Sequence, residues 1–286
     1  MKFRQWVKTP KALVLVVLTV YLAIAALGSH AFAAGMKHGA IAVGSALAVD
    51  IICCLFERRK RILPDGAFIT GLIVALVLGF TSAWYIVAAT STLAILPKHL
   101  LVRKKKPIFN PAAAGLLLSV LLFQSQQSWW GAFGDLSPWY LALIFIGGYF
   151  VTHRINKFPL VFSFLGTYLI LLYVLGMGVI PAGTGFLDAA GVSDALQPPF
   201  INAALFFALI MLTDPPTSPN KNVDQIVFGF LTAAVSAGVY AYFGGLMYLF
   251  IGLLAGNVYH LLRSMSTQNA RQAKPAAGSR TAPNRR

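Results

Sequence analysis

Ten apolar segments separated by short polar connections dominate the sequence, and three of them are short for a simple membrane span. A hydrocarbon core about 30 Å thick needs roughly 20 residues of helix, and shorter pieces survive only where protein or a cavity surrounds them. The segments run approximately Lys11 to Leu27, Ala33 to Phe56, Ala67 to Phe80, Ala83 to Leu96, Pro111 to Phe123, Trp139 to Thr152, Leu160 to Ile180, Phe200 to Leu212, Ile226 to Phe243 and Leu246 to Leu262. The third, fifth and eighth have about 13 or 14 residues each, so the sequence predicts an all-α polytopic membrane protein with short or broken helices.

The composition agrees with this fold class and excludes several others. Hydrophobic residues make up 58% of the 286 residues, charged residues only 11%, and the mean hydropathy is +0.73. These values lie outside the range of soluble domains, so a soluble enzyme, a disulfide scaffold and a disordered regulator are excluded. The net charge of +15 does not indicate a nucleic-acid partner, because basic residues also concentrate in the cytoplasmic loops of membrane proteins.

The positions of the basic residues predict the topology. The N-terminus, every second connection between apolar segments and the C-terminal tail together hold all of the 23 Lys and Arg residues except Lys37. Because Lys and Arg near the ends of spans are retained in the cytoplasm, this alternation predicts ten spans in the bilayer with both termini cytoplasmic. The connections around Arg59 and Lys105 are then cytoplasmic, whereas those around Trp129 and Asp188 face outward.

The chain is predicted to form one transmembrane domain over residues 1–263, with halves at about 1–123 and 139–263. Residues 264–286 are rich in Ala, Ser, Pro, Asn and Arg, which predicts a disordered basic tail attracted to anionic lipid on the cytoplasmic side. At the other end, the basic start, the apolar run and the small residues around Ala31 to Ala34 also fit a cleavable signal peptide. The run is slightly longer than a typical signal core, so we favour an uncleaved first helix.

Two of the short segments open alike. The third contains Phe68-Ile69-Thr70 and the eighth contains Phe200-Ile201-Asn202, 132 residues further on. Five spans separate the two, and an odd number reverses the orientation in the membrane. We therefore predict two inverted five-helix repeats, with a site near the midplane where the broken helices meet.

Polar residues at the ends of the short segments are the candidate site residues, because a carboxylate or amide inside a bilayer usually faces a cavity or a partner. The candidate set for binding a cofactor is Asp65, Thr70, Asn110, Asn202, Thr213 and Asp214. The alternative for Asn110 and Asp214 is that they cap helices and hold loops. Asp50 lies within the second span, where we expect it to pair with a loop arginine rather than to carry protons.

The sequence offers little for haem, iron–sulfur or hydrolytic chemistry. The five histidines lie near helix ends, and no two of them form an intramembrane pair that would hold a haem. Cys53 and Cys54 are adjacent and there is no Cys-x-x-Cys motif, so we expect both to be small buried hydrophobes and predict no metal ligands. Motifs of ATPases, zinc proteases and α/β-hydrolases are also absent from the sequence.

Several blocks of sequence resemble the NqrB/RnfD family, the membrane subunits of the sodium-pumping NADH:quinone reductase and of the Rnf ferredoxin complex. These blocks are Asp65–Leu72, Lys98–Leu100, Pro107–Ala112 with its Phe-Asn-Pro-Ala, Leu212–Thr217 with its Thr-Asp-Pro, and Phe243–Gly245. The resemblance implies a ten-helix inverted-repeat fold similar to urea transporters, located in the bacterial cytoplasmic membrane. It further implies a flavin (FMN or riboflavin) held among the broken helices, partner subunits of a membrane redox complex, and electron transfer coupled to ion translocation.

The chain also departs from the family pattern. The family's flavin-attachment motif, Asp-Gly-x-Ser-x-Ala-Thr, belongs in a long connection after the fifth helix, but here that connection is only Gln124 to Pro138 and contains no threonine. The family's Ser-Gly-Ala-Thr before the eighth helix is likewise missing from Pro198 to Asn202. We therefore expect a reduced relative without covalent FMN, in which any flavin is bound noncovalently.

Three functions fit the sequence. The first is a redox subunit in which protein binds and orients a flavin that supplies the chemistry, acting as a component of an oxidoreductase or translocase rather than as a stand-alone enzyme. The second is a solute channel or transporter, because the resembled fold also serves transport. The third is a scaffold subunit without a cofactor. The first is favoured.

Overall fold

Ten helices account for most of the computed structural model, which describes residues 3–6, 9–59, 64–177 and 194–272. After a single turn at Phe3–Trp6, the helices are α1 Pro10–Gly28, α2 Phe32–Phe56, α3 Asp65–Val77, α4 Trp84–Leu100, α5 Pro111–Phe123, α6 Leu141–Ile155, α7 Phe158–Gly176, α8 Phe200–Phe206, α9 Asn222–Phe243 and α10 Tyr248–Gln272. A small hairpin, β1 Val102–Arg103 and β2 Lys106–Pro107, connects α4 to α5. Each predicted apolar segment overlaps one of these helices, so the prediction of a polytopic all-helical membrane protein is confirmed.

The three segments predicted to be short form short helices. Within the described residues, α1, α2, α7 and α9 are long and apolar enough to cross a membrane by length and composition. The short apolar helices are Asp65–Val77, Pro111–Phe123 and Phe200–Met211, the last formed by α8 and the π-helical turn Phe207–Met211 that continues it. These are the third, fifth and eighth segments of the sequence.

The first short helix, α3, stops inside the protein because the backbone of another segment completes its hydrogen bonds. Leu78 is fully buried and extended, and it forms an antiparallel bridge with Gln127. The backbone N–H groups of Ser128 and Trp129 donate to the carbonyl of Val77 over 3.1 and 3.0 Å. A helix end without such partners would leave buried carbonyls unsatisfied, so the connection after α5 is part of what permits a broken helix here.

That connection folds into the core of the protein around Trp129, while the side of the membrane on which it lies stays a prediction. The Trp129 side chain is 1% exposed and stacks on Phe250, with ring centroids 5.4 Å apart. The Trp130 indole N–H donates to the carbonyl of Ala75 over 2.6 Å. The physical reason is that α3 and α5 are too short to fill the thickness of the protein, and the large aromatic side chains of the connection occupy the space that they leave.

The same pairs of helices pack together in each half of the chain. In the first half, α2 packs on α4, α4 packs on α5, and α1 packs on α3; in the second half, α7 packs on α9, α9 packs on α10, and α6 packs on α8 and its π-helical turn. Small residues allow the closest approaches. A Cβ at Gly115 would lie 2.5 Å from the Cα of Ala94, so α4 and α5 touch backbone to backbone there.

A pair of glycine substitutions tests this packing. We expect Gly115→Ala to lower the melting temperature in detergent, because its methyl group would overlap the α4 backbone. Gly166→Ala in α7 has nothing within 4 Å of the new Cβ, so it should raise the melting temperature slightly, through a helix propensity gain of up to about 1 kcal/mol. Equal effects of the two substitutions would contradict the close approach of α4 and α5.

The last helix, α10, extends to Gln272, nine residues beyond the predicted domain end at residue 263. Residues 264–272 contain no glycine or proline, so nothing in their sequence ends a helix. The guanidinium of Arg103 in the β1–β2 hairpin donates to the hydroxyl of Ser264 over 2.9 Å. The remainder of the tail predicted to be disordered lies outside the described residues.

The predicted topology can be tested by cysteine labelling in a background without Cys53 and Cys54. We expect Lys105→Cys to resist an impermeant thiol reagent in intact cells and Asp135→Cys to react, because basic connections stay in the cytoplasm. Both native side chains are exposed. Asp135 is a better reporter than the buried Trp129, and Asp188 lies outside the described residues. Labelling at position 105 together with protection at 135 would overturn the ten-span orientation.

Candidate functional site

The polar centre of the molecule is a junction around Asn110, at the start of α5. The Asn110 side-chain oxygen accepts from the backbone N–H of Ala113 over 3.0 Å, so Asn110 caps α5 as an N-cap residue does. Its side-chain nitrogen donates to the carbonyl of Met211 over 3.1 Å, at the end of the π-helical turn after α8. One buried amide thereby joins the beginning of one short helix to the end of another. Asn110 therefore caps α5, as the alternative expected, and its part in binding a cofactor stays a prediction.

A second asparagine, Asn257 of α10, completes the junction. Its side-chain oxygen accepts from the backbone N–H of Asn110 over 2.8 Å, and its side-chain nitrogen donates to the carbonyl of Thr217 over 3.1 Å. Both asparagines are buried, at 2% and 1% exposure. Asn257 precedes the basic Arg263 by six residues, which is about 9 Å along a helix. The junction therefore lies below the predicted cytoplasmic surface, where a free amide would be costly.

The predicted residues Thr213 and Asp214 lie beside this junction. The Thr213 hydroxyl donates to the carbonyls of Leu209 and Ile210 in the π-helical turn. The Asp214 carboxylate accepts from the Thr217 hydroxyl over 2.8 Å, and the residue as a whole is half-buried. Of the predicted site residues, Asn110, Thr213 and Asp214 are thus brought together, and Asp214 is the one that carries a carboxyl group.

A buried ammonium holds the connection that follows Asp214. Lys157, between α6 and α7, is 1% exposed. Its Nζ donates to the carbonyls of Ser218 and Pro219 and, over 3.2 Å, to the side-chain oxygen of Asn220. Three oxygen acceptors around one cation fix the path of this connection and bring a positive charge close to the Asp214 carboxylate.

Burial and the neighbouring charges shift the pKa of Asp214 in opposite directions. Burial raises the pKa of the Asp214 carboxyl, while the hydrogen bond from Thr217 and the positive charges of Lys11, Lys157 and Lys98 oppose that rise. Burial also lowers the pKa of Lys157 to about 8, with the Asp214 charge opposing the change. The site therefore combines one carboxylate with several cations at the predicted cytoplasmic side.

The other predicted site residues lie apart from the junction in the described contacts. The Thr70 hydroxyl donates to the carbonyl of Gly66 one turn earlier in α3, over 2.8 Å. Asp65 is half-buried in the first turn of α3. The Asn202 side chain donates to the carbonyl of Ala132 over 3.1 Å, and so joins α8 to the folded-in connection rather than to Asn110.

Asp50 has partners other than the predicted loop arginine. Its Oδ1 accepts from the Nζ of Lys98 over 2.8 Å and lies 2.9 Å from Nε2 of His99, both in the last turn of α4. The expectation of pairing holds, but the partners, Lys98 and His99, come from a neighbouring helix, because α2 and α4 pack side by side.

The residues fit a noncovalent flavin better than a covalent one. The connection from Gln124 to Pro138, where the family pattern places the attachment threonine, contains no threonine. This connection is also packed into the core around Trp129. Asp214, by contrast, offers a half-buried acceptor with a hydroxyl and cations beside it. That chemistry suits the N–H and carbonyl groups of a flavin ring and the anionic end of FMN.

Asn257 and Lys157 were missed by the sequence analysis. A signal existed for Asn257, since an amide within an apolar helix is costly unless it has a partner. Lys157 gave no such signal, because a lysine between two apolar segments is typical of a solvated cytoplasmic loop.

Comparison with known proteins supports the resemblance seen in the sequence. No curated protein matches the chain closely enough to count as a relative. Residues 3–137 match the model of the NQR2, RnfD, RnfE family. The match covers α1 to α5 and includes the blocks at Asp65–Leu72 and Pro107–Ala112, whereas the block at Leu212–Thr217 lies outside it. Over these residues, just under half of the chain, the protein is similar to the NQR2, RnfD, RnfE family.

Proposed function

We propose that this chain is the membrane subunit of an Nqr/Rnf-type electron-transport system and binds a flavin noncovalently at Asp214, beside the Asn110 junction. The observation that carries the proposal is that, in a chain whose first half matches this family, the ends of two short helices meet at one polar junction with the half-buried Asp214 at its edge. A scaffold would not need buried amides there, since apolar side chains would pack without the risk of unsatisfied polar groups.

The fold proposed with this function is a pair of inverted repeats similar to urea transporters. The support is that corresponding helices pack in the same pairs in both halves and that a short helix is third in each half. In such folds, broken helices meet near the membrane midplane and form the site there. The Asn110 junction connects the short helix α5 of the first half to the short helix α8 of the second.

In this proposal the residues bind and orient, and a bound flavin supplies the electron-transfer chemistry. Asp214 would accept from an N–H group, and Thr217 fixes the orientation of the Asp214 carboxylate. Asn110, Asn257 and Lys157 are positioning residues, because their described hydrogen bonds go to protein atoms of the junction and its connection. Coupling of electron transfer to ion movement remains part of the proposal for the assembled complex.

A binding titration tests the role of Asp214. We expect purified protein to quench the fluorescence of added FMN or riboflavin, and Asp214→Asn to weaken this binding by at least tenfold, because the substitution removes the charge while keeping the shape. Thr217→Val should have a smaller effect, since it removes only the hydroxyl that orients Asp214. Asn222→Asp, which adds a carboxylate at an exposed position of α9, is the matched surface control.

Two results would count against this function. Unchanged flavin affinity of a folded Asp214→Asn protein would remove Asp214 from the site. Failure of the wild type to bind any flavin, together with solute flux in proteoliposomes, would instead favour the channel or transporter alternative.

A further inference from the structure

We infer that Asp50, Cys54 and His99 form a binding site for one first-row transition metal ion, with Zn²⁺ the best-suited ion. The site lies at the end of α2 and the last turn of α4, where basic residues predict the cytoplasmic side. Each side chain offers one ligand atom: a carboxylate oxygen of Asp50, Sγ of Cys54 and a ring nitrogen of His99. These three atoms lie within 4.8 Å of one another. The three side chains are nearly buried, at 2%, 4% and 4% exposure.

The helix geometry explains why these residues meet. Asp50 and Cys54 are four residues apart and therefore share one face of α2. His99 reaches that face from α4, which packs against α2. Cys53 is adjacent in sequence but points along a different direction of the helix, and it is the more exposed of the two thiols.

The surroundings of His99 supply a second, independent indication. Its Nδ1 lies 2.7 Å from Oε1 of Glu57, and its Nε2 lies 2.9 Å from Oδ1 of Asp50. A neutral imidazole has one N–H, so it can donate to only one of these two carboxylates. With a metal ion on Nε2, the imidazole would be neutral and its Nδ1–H would donate to Glu57, so both ring nitrogens would have a partner. A carboxylate that orients a ligating histidine through its other nitrogen is typical of metal sites.

The donor set selects the kind of ion. A thiolate and an imidazole disfavour Na⁺, Mg²⁺ and Ca²⁺, which prefer oxygen ligands, and they suit Zn²⁺ or Co²⁺. A tetrahedral ion with bonds of about 2.0 to 2.3 Å places its ligand atoms roughly 3.5 Å apart, which small rotamer adjustments from the observed spacing can reach. Three protein ligands leave a fourth position for water or another ligand.

Lys98 is the competing cation at this site. Its ammonium also contacts Oδ1 of Asp50, but its side chain is 20% exposed and long enough to move toward the surface. With the metal bound, the charges of Asp50, Glu57 and the Cys54 thiolate balance those of Lys98 and a divalent ion. This site could not be predicted from the sequence, because His99 is 45 residues from Cys54 and the two do not match the ligand spacing of a known metal-binding motif.

Cobalt is a direct probe, because a bound thiolate gives Co²⁺ a charge-transfer band in the near ultraviolet. We expect metal-stripped, detergent-purified protein to develop this band at one equivalent of Co²⁺, and added Zn²⁺ to abolish it. Cys54→Ala should lose the band, Asp50→Asn and His99→Gln should bind at least tenfold more weakly, and Cys53→Ala should behave as the wild type.

The opposite pattern would overturn the inference. No band in the wild type, a band that persists in Cys54→Ala, or a band lost in Cys53→Ala would each exclude this site. If Cys54→Ala does not fold, X-ray absorption of the Zn²⁺-loaded wild type gives an independent answer. One sulfur scatterer supports the site, whereas a shell of only oxygen and nitrogen scatterers leaves an ion triad of Asp50, Lys98 and His99 without a metal role.

Discussion

Asn110→Leu is expected to destabilise the protein by roughly 2 to 4 kcal/mol, through two losses that add. The first is the helix cap at Ala113, which is typically worth about 1 kcal/mol. The second is the donor to the buried Met211 carbonyl, which then keeps only the longer hydrogen bond from the Asp214 N–H at 3.4 Å, a loss of about 1 to 3 kcal/mol. The measurement is thermal unfolding of the detergent-solubilised protein followed by tryptophan fluorescence.

Asn110→Asp separates these two losses. Aspartate keeps the capping oxygen but cannot donate to Met211, so its melting temperature should fall between those of the wild type and Asn110→Leu. Asn222→Leu, at an exposed position of α9, should change stability by no more than about 0.5 kcal/mol. A wild-type melting temperature for Asn110→Leu would show that the junction does not hold the short helices together.

Lys157→Met is expected to be comparably destabilising and to reduce flavin binding as well. Methionine fills similar space but donates no hydrogen bond, so the carbonyls of Ser218 and Pro219 and the Asn220 side-chain oxygen lose a common donor. Each unsatisfied buried acceptor costs about 1 to 3 kcal/mol, less where water can reach it. Because the freed connection also carries Asp214, its carboxylate loses its fixed position.

The matched control for that experiment is Lys221→Met. It removes a cation from the same connection, but the Lys221 side chain is exposed, so stability should stay within about 0.5 kcal/mol of the wild type. The readouts are the melting temperature and the flavin affinity of each variant. Equal behaviour of the two lysine variants would mean that Lys157 is an ordinary surface charge.

The helices could be predicted from the sequence because the bilayer imposes a length scale on apolar segments and the cytoplasm retains basic residues. Those two constraints act on short stretches of sequence, so they place α3, α5 and α8 and identify them as short. Asn110 as a cap was also predictable, because the signal is an asparagine directly before a proline.

What could not be predicted depends on contacts between distant segments. Asp50 meets His99 across 49 residues, and Asn257 meets Asn110 across 147. No periodicity of one segment records which residue of another will face it. The folded-in connection was missed for the same reason, since the space that Trp129 fills exists only after α3 and α5 have packed.

The most direct test of the proposed function is the absorption spectrum of the protein purified from its own membrane, recorded before and after acid precipitation. We expect a flavin spectrum in the native protein and release of the flavin into the supernatant on denaturation, because the connection from Gln124 to Pro138 contains no threonine for attachment. A folded, colourless protein would contradict the proposal that this chain carries a flavin, and a flavin that stays with the precipitated chain would contradict noncovalent binding.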